Sequence, residues 1–171
     1  MAYSAGDIKV YPFDKMVVTG LKIEKKIGDH ARAVIRGDIT AEDSERYPYI
    51  SEDEVVTVKF GGETYFCGYV EKIRVNHVAQ NHYLEVVLVS LSIDMDVCKM
   101  VKSFQNKKTK YADMLKEIAK NSNLEIIVDK EIKDEIKKPI IQYFETDWEF
   151  IKRMASRMEK EIVFDSITKI S

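Results

Sequence analysis

Through the first two thirds of the chain, apolar and polar residues change places at every second position. Leu21, Ile23 and Ile27 fall on one parity, while Lys22, Glu24 and Lys26 fall on the other. Side chains of an extended backbone point alternately to opposite faces, so this pattern specifies a strand with one dry side and one wet side. Gly28-Asp29 supplies a turn. The alternation then resumes with Ala31, Ala33, Ile35 and Ile39 opposite His30, Arg32, Arg36 and Asp38. Two such runs about a glycine-containing turn make a hairpin.

The polar, acidic stretch 41–53, with Pro48 inside it, reads as a loop. A strand follows over 55–60 and is ended by Gly61-Gly62, and a long one over 64–75 carries Tyr65, Phe66, Tyr69, Val70, Ile73 and Val75. After a polar break at 76–81, the stretch 83–93 reads as a strand in which Val87, Val89, Leu91 and Ile93 share a face. Five or more successive antiparallel strands predict a barrel or sandwich, architectures that leave few exposed edges.

Near residue 100 the period lengthens. Tyr111, Met114, Leu115, Ile118 and Ala119 recur at helical spacing, with Thr109 as the expected N-cap, Asp113 in the first turn and Asn121-Ser122-Asn123 as the stop. A short strand over 124–128 and a charged linker over 129–138 follow. After Pro139, 140–144 reads as a strand, and Thr146-Asp147-Trp148-Glu149 has the form of a capping box. Trp148, Ile151, Ala155 and Met158, widened by Phe150 and Met154, make a second amphipathic helix, and a new strand is expected over 161–165. The expected fold is therefore β-rich α+β: an antiparallel β-barrel over 1–100, then an α/β segment with two amphipathic helices over 101–171.

Composition removes several classes. In 171 residues, 45% hydrophobic and 33% charged, there is enough apolar material for one packed core. With 29 acidic against 27 basic side chains the formal charge is −2, which argues against a chain built to hold phosphate backbones. The longest apolar run, 86–89, is far shorter than the ~20 residues of a membrane span. The start, MAYSAGDIKV, has no secretory signal character, so assembly in the cytoplasm is expected. Cys67 and Cys98 are too few for a disulfide framework and are expected to be reduced and half-buried.

Catalytic patterns are missing: no phosphate-binding glycine loop, no HExxH and no GxSxG occurs. His30, His77 and His82 fall on wet faces or in a turn. His77 and His82 could share a metal, but no carboxylate or thiol is placed to complete the site, so solvated turn residues are expected. Asp94 with Asp96, at a strand end, and Glu145 with Asp147, at a helix start, could be drawn as acid/base pairs. Strand termination and the preference of carboxylates for helix N-termini explain them better. The lysines at 107, 108 and 110 read as a solvated loop rather than a nucleic-acid site. Neither a catalytic residue nor a cofactor or metal is expected.

Three strings, in order, resemble one family. Tyr65-Phe66-Cys67-Gly68-Tyr69-Val70 resembles the aromatic-Phe-x-Gly-x-Val strand of phage tail hub proteins and type VI secretion spike proteins. Phe104-Gln105-Asn106-Lys107 resembles the step into a helix there. The segment with Gln142, Tyr143, Glu145, Thr146, Asp147, Trp148, Phe150 and Arg153 is similar to that family's Gln-Tyr-x-Glu-Ser/Thr-Asp-aromatic-x-Phe motif. The chain is thus similar, over about 20–165, to the late-control-D and baseplate-hub family of contractile tails.

That resemblance implies a non-catalytic adaptor between tail tube and central spike, located in the baseplate of a phage tail or tail-like particle. Its partners would be tube, spike and other baseplate proteins, with neither membrane nor nucleic acid among them. Full-length members form homotrimers. They carry a second barrel after the segment that ends here near Asp165, so this chain is expected to be an N-terminal fragment or a reduced member, with a monomer left open. On this reading Phe104, Trp148 and Phe150 anchor the core, Gln105 and Gln142 satisfy backbone groups, Asp147 helps to cap its helix and Arg153 pairs with a carboxylate. The alternative is a small-barrel binding module for an oligosaccharide or single-stranded nucleic acid.

Overall fold

Alternating sequence becomes a sheet in the first unit of the structure. The computed structural model describes residues 8–124, 126–128 and 132–162, and these form two units that meet between Leu91 and Ser92. Six antiparallel strands make up the first: β1 (Ile8–Tyr11), β2 (Val17–Glu24), β3 (Arg32–Ile39), β4 (Val56–Phe60), β5 (Glu63–Val78) and β6 (Asn81–Ser90). Their order across the sheet is β1-β4-β5-β6-β3-β2, an open and curled half-barrel. The fold is β-rich α+β, as its sequence pattern predicts.

One face of this sheet holds the core. Val10, Val18, Ala33, Ile35, Val56, Val58, Phe66, Leu84, Val86 and Leu88 are buried there together with Phe13 and Tyr47. The Phe13 and Tyr47 rings meet edge to face at 5.0 Å. Gly61 and Gly62 both take positive φ (56° and 91°) in a two-residue hairpin loop, a backbone that a side chain would strain.

Three bulges set which residues face inward. Thr19 is the extra residue in β2, Tyr65 the first and Glu71 the second in β5. Before Glu71 the buried positions are Phe66, Gly68 and Val70; after it the partly buried ones packed on the core are Ile73 and Val75. A bulge inserts one residue and so reverses parity. Gly68 is needed for a different reason: a Cβ there would lie 2.1 Å from the Val89 carbonyl oxygen.

Several expectations are corrected in this unit. The stretch read as a loop contains α1 (Ala41–Arg46) and a 3-10 turn, Tyr47–Tyr49. Thr40 caps α1 by accepting from the Asp43 amide at 3.1 Å while its hydroxyl donates to Asp43 Oδ2 at 2.7 Å. On β6 the inward residues are Leu84, Val86 and Leu88; of the four residues expected to share a face, only Val87 and Val89 lie in the strand. The strand also ends at Ser90, and Leu91–Asp96 is a 3-10 turn, so Asp94 and Asp96 do not lie at a strand end. His30, expected on a wet face, is buried, because it precedes β3 rather than belonging to it. Ile27, expected inward, is exposed, since β2 stops at Glu24. Cys67 is half-buried, whereas Cys98 is exposed.

The second unit is built from β7 (Lys99–Phe104), α2 (Tyr111–Lys120), β8 (Ile140–Thr146) and α3 (Asp147–Arg157), with β7 and β8 paired antiparallel. Met114, Leu115, Ile118 and Ala119 of α2 and Trp148, Phe150, Ile151, Met154 and Ala155 of α3 are buried. Lys110, not Thr109, occupies the N-cap of α2 and makes no side-chain cap bond. The expected strand at 124–128 is not formed at 126–128. The charged linker contributes a buried Ile136, whose amide donates to the Thr109 carbonyl at 2.8 Å. Of the strand expected at 161–165, positions 161–162 are irregular and the rest lies outside the described residues.

Two predictions follow from the sheet. Gly68→Ala forces backbone apart at the β5–β6 ladder and should cost about 1–3 kcal/mol in denaturant unfolding. The second concerns the wet face, where Arg36 Nε donates to Glu85 Oε2 at 2.8 Å and Arg74 Nη1 to Oε1 at 2.7 Å. These bonds hold the Glu85 carboxyl below its ordinary value of 4.5. A carboxyl with a lowered folded value stabilises above its unfolded value and loses that contribution as pH falls through the folded one. The melting-temperature difference between wild type and Glu85→Gln should therefore be largest well above pH 4.5 and close as the pH is lowered through the acid range.

Candidate interaction surface

The polar residues of the third string fold into a local scaffold. Thr146 is the N-cap of α3: its hydroxyl accepts from the Glu149 amide at 3.1 Å, and Glu149 Oε2 accepts from the Thr146 amide at 2.9 Å. Both halves of the capping box are thus made. Asp147, in the first turn and almost fully buried, accepts from Gln142 Nε2 at 2.8 Å and from Asn121 Nδ2 at 3.2 Å. Gln142 also donates to the Glu145 carbonyl at 3.2 Å. Arg153 grips the Glu145 carboxylate through Nε and Nη2, and Nη2 donates to the Ile141 carbonyl at 2.8 Å. That carboxylate raises the guanidinium's hold on its proton. The Thr146 hydroxyl donates to Asp96. Both imagined acid/base pairs therefore have members spent on this scaffold, Asp96 at the cap and Glu145 and Asp147 beside it.

The first two strings divide between the units. In the first unit, Phe66, Gly68 and Val70 are buried in β5 while Tyr65 sits outward at its bulge, edge to face with Phe60 at 5.7 Å. In the second, Phe104 is buried, directly opposite Ile140 and 5.9 Å from the Phe150 ring. Gln105 donates to Ser103 Oγ at 3.3 Å, a side chain rather than the expected backbone group. Asn106 Oδ1 accepts from the Lys108 amide at 3.1 Å, which forms the turn, and Lys107 is exposed. The partners Asn121 and Asp96 stand 26 and 50 positions from the residues they hold, and nothing local marks them.

What the scaffold presents is apolar. Pairing sets Val101 opposite Tyr143 and Ser103 opposite Ile141 on the outer face of the β7–β8 ladder, with Phe104, Ile140 and Gln142 on the inner one. Tyr143 is 68% exposed, Phe144 63%, Val101 63% and Ile141 54%. Phe144 is the extra residue of a bulge and takes φ 49°. A left-handed backbone costs a non-glycine residue about 1–2 kcal/mol, and here it serves an aromatic ring that stands in solvent. The Tyr143 and Phe144 rings meet edge to face at 5.0 Å.

Other chemistry is sparse. Among the described residues no three His, Cys, Asp or Glu side chains converge to hold a metal. No described helix is long and apolar enough to cross a membrane. A cleft of about 640 Å³ in the second unit is lined by charges of both signs, Lys137, Lys138 and Arg157 beside Asp134 and Glu135.

The fold itself is shared with tail proteins. It is similar to a tail protein from Neisseria meningitidis MC58 (TM-score 0.64, 14% identity, 92% of this chain and 49% of that one). It is also similar to the 43 kDa tail protein of prophage MuSo2 from Shewanella oneidensis (0.57, 15%, 85% and 53%). A third likeness is to an E. coli component of the type VI secretion system, itself described as structurally similar to the bacteriophage T4 tail proteins gp27 and gp5 (0.56, 13%, 91% and 47%). The chain spans about half the length of these structures. No protein-family model and no curated protein sequence matches it.

If the polar residues serve folding, Asp147→Ala should lower stability by about 1–3 kcal/mol through the buried Gln142 amide it strands. Thr146→Ala should cost about 1 kcal/mol through the lost cap. Chemical denaturation of both variants checks the order.

Proposed function

We propose that the chain is a structural component of the baseplate hub in a phage tail or related contractile injection particle, where it adapts the tail tube to the central spike. The observation that carries this reading is the fold shared, over 85–92% of the chain, with tail proteins and a secretion component. The order of the three sequence strings supports it. So does the exposed apolar β7–β8 face, since assembly proteins bury such faces against partners.

On this reading the protein is not an enzyme and needs no cofactor. Residues 1–100 serve as a hub barrel and 101–171 as the segment that follows it. Its partners are tube, spike and other baseplate proteins, with a trimer as the assembled state of full-length members and a monomer left open for this chain. It is made in the bacterial cytoplasm and resides in the baseplate of the particle. The motif residues from Tyr65 to Arg153 other than Tyr143 act by holding the fold, while Tyr143 and its neighbour Phe144 act by contact.

The test is immunolabelling of particles purified from the native host after prophage induction. Label confined to the baseplate end supports the proposal, and label found only in the soluble fraction overturns it. A Tyr143→Ser/Phe144→Ser variant should remain folded, yet enter particles at least about tenfold less well, because exposed aromatics of this kind dominate contact energies. Normal incorporation would remove this face from the interface.

A further inference from the structure

The tip of the β5–β6 hairpin brings two histidines together. His77 and His82 are directly opposite in the ladder, one pair in from Val78 and Asn81 at the turn, and their rings lie 4.5 Å apart at 86°. Both continue the inward parity of their strands, His77 after Ile73 and Val75, His82 before Leu84 and Val86. On its other side His82 faces Ile39 of β3, a buried residue. The pair therefore stands where the apolar core gives out, with one wall dry and the other open.

One atom there is unexplained. His82 Nδ1 is closed off from solvent and has no hydrogen-bond partner. Buried polar atoms are nearly always satisfied, and an orphan points to a water or an ion. Packing two imidazoles against each other does not satisfy it.

We propose that His77 and His82 form a two-histidine site for a late first-row divalent cation, Zn²⁺, Ni²⁺ or Cu²⁺, whose remaining positions are filled by water. Metal–nitrogen bonds of about 2.0–2.1 Å at angles between square and tetrahedral put two imidazole centres about 4.5–5 Å apart. The observed spacing falls at the short end of that range. Imidazole nitrogens select these ions, whereas Mg²⁺ and Ca²⁺ require oxygen ligands. The apolar wall at Ile39 weakens competition from water on one side. A bound ion would tie the two strands at their far end, so it would also hold the hairpin in register.

The test uses the untagged 171-residue chain, stripped with a chelator and titrated calorimetrically with ZnCl₂ and with NiCl₂. The expected result is one ion per chain, with affinity lowered more than about tenfold in His77→Gln and in His82→Gln. MgCl₂ should give no binding. His77 is exposed, so His77→Gln is expected to fold, and its circular dichroism checks that. Amide exchange at 75–84 should slow with Zn²⁺ in the wild type but not in His77→Gln. Binding that survives His77→Gln undiminished, or no binding by the wild type at millimolar metal, overturns the proposal.

Discussion

One inserted residue decides which side of β5 is dry. The strand runs for sixteen residues, and Glu71 is the extra one that pairs with nothing on β6. Paired in regular register instead, with Glu71 opposite Val87, the strand would turn Lys72 and Arg74 toward the core beyond Val70 in place of Ile73 and Val75. Burying two uncompensated cations is far costlier than the local kink. The bulged carboxylate is itself held, accepting from Arg32 Nε at 3.1 Å and Nη2 at 3.3 Å. Thr19 performs the same reversal in β2, between Val18 and the pair Leu21 and Ile23. A curled sheet with one core face depends on such reversals, because curvature and parity must change together along long strands.

The second unit meets a different constraint. A two-stranded ladder is marginal alone, so β7 and β8 depend on what covers their inner face. Phe104, Ile140 and Gln142 supply that face, with Phe104 stacked toward Phe150 of α3. The chain turns from β8 into α3 with no linking residue, and the Thr146–Glu149 box together with Asp147 and Arg153 holds that turn. Polar residues of one short segment thus orient a helix against a strand, which is structural work. Their clustering could be mistaken for a catalytic constellation; their hydrogen bonds show each carboxylate engaged within the fold.

How far the sequence could be read depended on how local each determinant is. The capping box, the buried stripe of α2 and the two-glycine turn involve neighbours within four positions, and each is seen where the pattern put it. Thr40-x-x-Asp43 is equally local, but acidic composition and Pro48 masked it. On β6 the run Val86, Val87, Leu88, Val89 is apolar on both parities, so period alone cannot choose a face; Glu85, engaged by Arg36 and Arg74, marks the wet one. β7 carries Lys99, Lys102 and Ser103 and lacks any clean alternation, since its outer face is apolar as well. The bulges and the partners Asn121 and Asp96 depend on distant pairing, and no window of sequence contains them.

Phe144 joins these threads. A bulge residue with positive φ is most cheaply a glycine or an asparagine, and an exposed position is most cheaply polar. This chain places a phenylalanine there, beside Tyr143 and across from Val101, on a ladder whose inner face already has its core. The ring adds nothing to that core and carries a backbone cost. On the proposed hub reading a partner contact would account for both facts, because a rigid aromatic pair on a short, well-anchored ladder loses little entropy when a partner covers it. The scaffold of Gln142, Asp147 and Arg153 would then matter to assembly without touching any partner, by fixing the angle at which that pair is offered.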